Sequence, residues 1–292
     1  MSRRLRRSRE KVYVVGRLQA LAIAAVLAMF LAAGCNTNGS ESAGSDQTQS
    51  GAGSGSPRDL PQGAETVELD PNNFSTRIDN PYWPMKPGTR WTYSETDQEG
   101  SKLQVVVTVS DQTKKIANSA IARVVRDTVT EDGVIVEDTF DWYAQDKEGN
   151  IWYLGENTAE FENGKLATKE GSFEAGIDGA QPGIIMPAHP RDGMQYRQEY
   201  YKGVAEDNGE VLSTDEMVQV PFGRFDRALL TKDTITIEPN VLEYKLYAKG
   251  VGPVLTLGVS GGPGSREELI DRDTASHKEM REAGTSPLGS AR

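Results

Sequence analysis

Thr139-Phe140-Asp141-Trp142-Tyr143-Ala144-Gln145-Asp146-Lys147-Glu148-Gly149-Asn150-Ile151-Trp152-Tyr153 reads as two strands and the turn between them. Phe140, Trp142 and Ala144 alternate with Thr139, Asp141 and Tyr143, the period of two that a half-buried strand imposes on its side chains. Lys147-Glu148-Gly149-Asn150 supplies a polar turn with a glycine. Paired as a hairpin, each Trp-Tyr pair puts one ring on each face of a sheet. One face is core. The other carries rings outward or into a concave groove, which makes Trp142, Tyr143, Trp152 and Tyr153 candidate contacts for a hydrophobic small molecule or a protein partner, since these rings combine large area with a polar handle. Cross-strand packing is the competing account of the same rings, at about 0.2–1 kcal/mol per pair.

The period of two extends in both directions. Leu103, Val105, Val107 and Val109 share a face opposite Gln104, Thr108 and Ser110, and Val251, Leu255, Leu257 and Val259 repeat the theme. Turn signals fall between such runs at Glu131-Asp132-Gly133, Glu162-Asn163-Gly164-Lys165 and Asp207-Asn208-Gly209. From Trp91 to Val259 the pattern predicts about nine or ten strands and no long amphipathic helix. The expected fold is therefore all-β: one large curved antiparallel sheet, a half-barrel or barrel, over residues 65–270. Residues 271–292 read as a flexible tail with a short helix followed by Gly, Pro and Ser.

Residues 1–34 have the three parts of an export signal. Arg3, Arg4, Arg6, Arg7, Arg9, Lys11 and Arg17, with the single acid Glu10, form a basic start. An apolar run follows from Leu18 to Ala33, and small residues lead to Cys35. The run is shorter than the roughly 20 residues of a transmembrane helix. Its ending, Leu31-Ala32-Ala33-Gly34-Cys35, resembles the lipobox of bacterial lipoproteins, with Ala32 where Leu is commoner. That resemblance implies cleavage before Cys35 and acyl chains such as palmitate on it, anchoring the chain to a membrane on the extracytoplasmic face of the cell envelope. No two apolar residues follow the arginine pairs, which favours the general secretory route. Residues 35–64 are small and polar and read as a disordered tether with a mean reach of roughly 30 Å. Without the leader the chain keeps 25 basic and 42 acidic residues, a charge near −17. Such a surface repels nucleic-acid phosphates and anionic head groups, so the lipid must supply the membrane affinity. Cys35 is the only cysteine, so the fold must rest on its core without a disulfide.

Catalytic patterns are sparse. Gly258-Val259-Ser260-Gly261-Gly262 matches G-x-S-x-G, with Asp271, Asp273 and His277 following in the order of a serine hydrolase. Pro263-Gly264 then blocks the helix that a nucleophile elbow requires, so a glycine-rich loop is the simpler reading and Ser260 the alternative. His189 and His277 have no second ligand at metal-binding spacing, and residues 146–150 have their glycine in the wrong place for a calcium loop. No metal or cofactor is expected. The carboxylate pairs Glu137-Asp138 and Glu267-Glu268 read as a solvated acidic face.

Three stretches carry a wider resemblance: Asn80-Pro81-Tyr82-Trp83-Pro84-Met85-Lys86-Pro87-Gly88-Thr89-Arg90-Trp91-Thr92-Tyr93, the hairpin of residues 142–153, and Tyr247-Ala248-Lys249-Gly250-Val251-Gly252. Together they resemble a group of bacterial lipoproteins and secreted proteins to which no activity is attached. The resemblance implies a curved sheet like that of lipoprotein-carrier half-barrels, and it transfers no catalytic residue. The expected function is a non-enzymatic envelope lipoprotein that binds a hydrophobic ligand or an envelope protein. A secreted hydrolase using Ser260 and a purely structural docking protein are the alternatives.

Overall fold

The computed structural model describes residues 60–117, 119–259 and 264–290. Cys35, the expected leader and most of the expected tether lie outside them, as does Ser260. Among the described residues fifteen strands form one antiparallel sheet. They are β1 (Phe74–Ser75), β2 (Thr89–Thr96), β3 (Lys102–Lys115), β4 (Ile121–Glu131) and β5 (Val134–Asp146). Then come β6 (Ile151–Glu162), β7 (Lys165–Thr168), β8 (Phe173–Glu174), β9 (Gln181–Met186) and β10 (Gln195–Tyr201). The last five are β11 (Ala205–Val220), β12 (Gly223–Ile235), β13 (Leu242–Ala248), β14 (Gly252–Gly258) and β15 (Ser265–Thr274). The order β5-β4-β3-β2-β15-β14-β13-β12-β11-β10-β9-β6 returns to β5 through the β5–β6 pairing, so twelve strands close a barrel. Of the half-barrel and barrel readings, the closed form is the one adopted, and closure leaves these twelve strands without a free edge.

Local chemistry accounts for the hairpins. Asp132 and Gly133 take φ values of 50° and 78°, and Asn163 and Gly164 take 51° and 73°, the double left-handed geometry of a tight hairpin turn that Asp-Gly and Asn-Gly favour. Asp146 closes the next turn by accepting from the Asn150 amide at 2.8 Å. Asp207-Asn208-Gly209 is not a turn. It runs inside β11, with Gly209 opposite Tyr196, where an added Cβ would sit 2.5 Å from the tyrosine ring. The glycine there serves a close approach.

Inward positions follow from the register. Trp91, Tyr93 and Glu95 face Val107, Val105 and Leu103, and Asp141 and Tyr143 face Val125 and Arg123. Residues 76–88 fold into one end of the barrel and stop it. Ile78, Tyr82, Trp83 and Met85 are buried there. The Trp83 ring packs 5.8 Å from both Tyr143 and Tyr247. Asn80 ties the plug to the rim by donating to Gly149 O and Pro187 O.

The chain beyond Ile270, expected to be a flexible tail, is built into the fold. β15 continues to Thr274, and a helix α1 (His277–Thr285) follows with a capping box between Ser276 and Glu279. Met280 and Ala283 are buried. Arg126 and Asp138, fully buried on the outer face, pair with each other (Nε–Oδ1 2.8 Å). Arg126 also donates to Ser286 O and Pro287 O, while Asp138 accepts from the Gly289 amide. A buried ion pair needs such extra hydrogen bonds, and the tail supplies them. At the other boundary residues 60–65 already pack on β10: Pro61 O accepts from the Arg197 amide, and Gly63 O and Glu65 O accept from its guanidinium.

Candidate functional site

Position along the strands divides the barrel interior into two halves. The plugged end is aromatic. The other end, at the turns following β2, β10 and β12, is lined by carboxyl groups. Among the described residues the acidic side chains that point into it include Glu95, Asp127, Glu137, Asp141 and Glu156, then Glu199, Asp207, Asp233, Glu243 and Glu267. Nine of these are buried and Glu243 is half-buried. Lys245 is the lysine that faces them, its Nζ 2.9 Å from Asp233 and 3.3 Å from Glu243.

Such a concentration of acid in a low-dielectric enclosure favours the protonated form. Burial, then the neighbouring Glu267, pushes Glu95 up to about 8. Burial pushes Asp141 up to about 7 against the opposing hydrogen bond from Tyr153, and burial with Glu243 pushes Glu267 up to about 7. Asp127, Glu137, Glu156, Glu199 and Asp207 rise for the same first reason, burial. For Lys245 burial works to lower the ammonium, and Asp233 and Glu243 outweigh it, holding it well above the usual lysine range. Lys245 is thus a fixed charge, not a nucleophile.

The Tyr153 hydroxyl lies 2.7 Å from Asp141 and 3.0 Å from Glu156. It has one hydrogen to donate, so one carboxyl accepts and the other, protonated, donates to the phenol oxygen. Several acids have no such partner: both oxygens of Glu199, Oδ1 of Asp207 and Oδ1 of Asp127 are buried without a hydrogen bond. Glu199 and Asp207 line a void of about 40 Å³ together with Tyr143, Tyr153, Asp233 and Lys245. A second void of about 10 Å³ sits among Trp83, Trp91, Tyr93 and Asp141.

The four aromatic residues expected from the hairpin divide between two environments. Tyr143 and Tyr153 point inward and stack at 5.0 Å beside the acidic void. Trp142 and Trp152 point outward into a second cluster with Val124, Ala144 and Leu154. Lys114 stands 4.4 Å over the Trp142 ring, and Trp152 donates to Asp146. The acidic pairs read as a solvated face are corrected by the register: Glu137 and Glu267 turn into the barrel, and Asp138 lies under the tail with Arg126. A signal for this exists in the sequence. Glu95 continues the phase of Trp91 and Tyr93, and Asp127 lies between Val125 and Val129, so each acid falls on the apolar face of its strand.

Ser260, the nucleophile of the hydrolase alternative, lies outside the described residues. Gly264 precedes β15, and His277 follows the other end of that strand, ten strand residues later. Asp273 is engaged by Arg90 at 2.8 Å. Among the described residues, no three His, Cys, Asp or Glu side chains are placed to hold a metal ion.

No protein-family model and no curated protein matches the chain. Three solved structures are similar to it. One, described as an exported protein with a YmcC-like fold from Bacteroides fragilis, shares 17% identity over 66% of this chain and 99% of its own, with a TM-score of 0.38. A second, described as a lipoprotein from Parabacteroides distasonis, shares 14% over 66% and 98%, with a TM-score of 0.35. The third is a β-barrel-like protein with a domain of unknown function from Brucella abortus, at 13% over 69% and 100%, with a TM-score of 0.33.

Proposed function

We propose that this chain is a non-enzymatic lipoprotein of the bacterial envelope, anchored through Cys35, whose barrel receives a cationic group of a ligand or of an envelope protein at its acidic end. The observation that carries this reading is the imbalance at the acidic end of the barrel: nine buried inward carboxyl groups, with half-buried Glu243, face Lys245. An enclosure of that kind cannot keep its carboxylates ionised and unpaired; it holds protons or takes in positive charge. A wholly hydrophobic ligand fits less well, because voids of about 40 and 10 Å³ are far below the roughly 300–1,000 Å³ of small-molecule pockets. The anchoring half rests on the leader and on the small-residue run before Cys35.

Two measurements test the reading. Labelling with a palmitate analogue should mark the wild-type chain and not Cys35→Ala, which should leave the membrane fraction. Ligand-detected NMR on the mature lipoprotein in detergent, with primary amines and fatty acids as competing panels, should register the amines. Saturable binding of fatty acids alone would overturn the cationic reading.

A further inference from the structure

We infer that the void between Glu199 and Asp207 is a binding site for a primary ammonium group. This inference rests on the reading of the acidic end as a cation receptor and names its chemistry. Glu199 is 1% exposed, lines the void, and neither of its carboxyl oxygens has a hydrogen-bond partner. Asp207, opposite it in the β10–β11 register, contributes a second buried group with an oxygen in the same condition. Buried polar atoms in native proteins are nearly all satisfied, so the three unsatisfied oxygens of Glu199 and Asp207, beside the unsatisfied Nε2 of Gln198 in the same lining, mark a place where a polar ligand belongs.

The same void shows which donors fit. Lys245 brings an ammonium to its far wall and holds it between Asp233 and Glu243, at 2.9 and 3.3 Å. Glu199 and Asp207 form the equivalent acid pair on the near wall, and no side chain fills the space before them. The stacked rings of Tyr143 and Tyr153 also line it, with Ile185 and Ile235, and aromatic rings attract a cation placed beside them. About 40 Å³ has room for one to three water-sized groups, which admits an ammonium with one carbon and not a larger quaternary head. Half-buried Thr234, Val241 and Glu243 form its rim, so the carbon chain of a longer amine would leave between them. The ligand class is therefore a primary amine presented end-on, such as a polyamine terminus or a lysine side chain.

The test uses the mature lipoprotein in detergent and methylammonium as the probe, with tetramethylammonium and Ca²⁺ as comparison cations at matched ionic strength. Methylammonium should bind saturably, with nuclear Overhauser contacts from its methyl group to the Tyr143 and Tyr153 rings. Glu199→Gln should weaken it roughly ten- to hundredfold, the value of a charged hydrogen bond, while Glu137→Gln, elsewhere in the acidic half, should leave it within about twofold. Displacement of methylammonium by spermidine or by a lysine-containing tripeptide then separates the two sources of the amine, and either supports the site. Equal loss in both variants would overturn the pocket and leave the cation reading standing. No cation binding to the wild type would overturn both. Tighter, Glu199-dependent binding of Ca²⁺ would replace the ammonium site with a metal site.

Discussion

Raising the pH from 5 to 8 should progressively remove stability from this barrel. Folded, Glu95, Asp141 and Glu267 keep their protons up to about 8, 7 and 7; their ordinary values are 4.5, 3.8 and 4.5. Between pH 5 and about 6.5 the folded state therefore binds more protons than the unfolded one. The slope of stability with pH follows the protons bound by the unfolded state minus those bound by the folded state, so it is negative here. The contribution of these groups is complete below about pH 4 and is lost as the pH rises through 7 to 8. Each retained proton amounts to about 1.4 kcal/mol per pH unit, and three set a ceiling of about 4 kcal/mol per unit. Against a total of about 5–15 kcal/mol for a domain, that decides whether the barrel stays folded at alkaline pH. Glu210 and Glu279 shift the other way, and their contribution is lost only as the pH falls below the ordinary carboxylate range, outside this window. The assay is urea unfolding of the protein at half-unit pH steps, followed by the fluorescence of buried Trp83 and Trp91. Glu95→Gln, which mimics the protonated acid, should flatten the slope by about one proton and raise stability at pH 8. A midpoint that is constant or rises from pH 5 to 8 would refute the protonated interior.

Other outcomes follow from the packing. Arg126→Ala should cost about 3–5 kcal/mol by stranding Asp138, and hydrogen exchange should quicken across residues 277–289; deleting residues 276–292 first should abolish most of the difference. Gly209→Ala should destabilise by about 1–3 kcal/mol through the Tyr196 ring, and Tyr196→Leu in the same chain should relieve it. Trp142→Ala should cost about 3–5 kcal/mol if its ring is core, as its 8% exposure indicates; unchanged stability with lost partner binding would make it a docking residue instead. A fluorophosphonate probe should leave Ser260 unlabelled in folded protein, and labelling there that His277→Ala abolishes would restore the hydrolase.

Much of the architecture is legible in the sequence because strand periodicity is a local property. The phase of Phe140, Trp142 and Ala144 against Thr139, Asp141 and Tyr143 is visible within one short stretch, and Asp132-Gly133 and Asn163-Gly164 announce their own backbone geometry. Asp207-Asn208-Gly209 carries the same local signal and misleads, because the partner that requires its glycine, Tyr196, is on another strand. The tail departs from its sequence reading for a related reason. Nothing in Ser286-Pro287-Leu288-Gly289 predicts order; its carbonyls are held by Arg126, 160 residues away in sequence.

The candidate site divides in the same manner. By itself the sequence determined that the chain is acidic, that it begins with a basic and then an apolar run, that Cys35 is its one cysteine, and that its strands alternate, since each is a matter of composition or of neighbours along the chain. Only the tertiary structure decided which phase of each strand faces inward. Closure of β6 onto β5 turned acids scattered from Glu95 to Glu267 into one buried cluster, and the plug at residues 76–88 confined that cluster to a single end. Burial is a property of the closed barrel and of no single strand, so the ionisation of these acids and the void between Glu199 and Asp207 exist only once twelve strands have met.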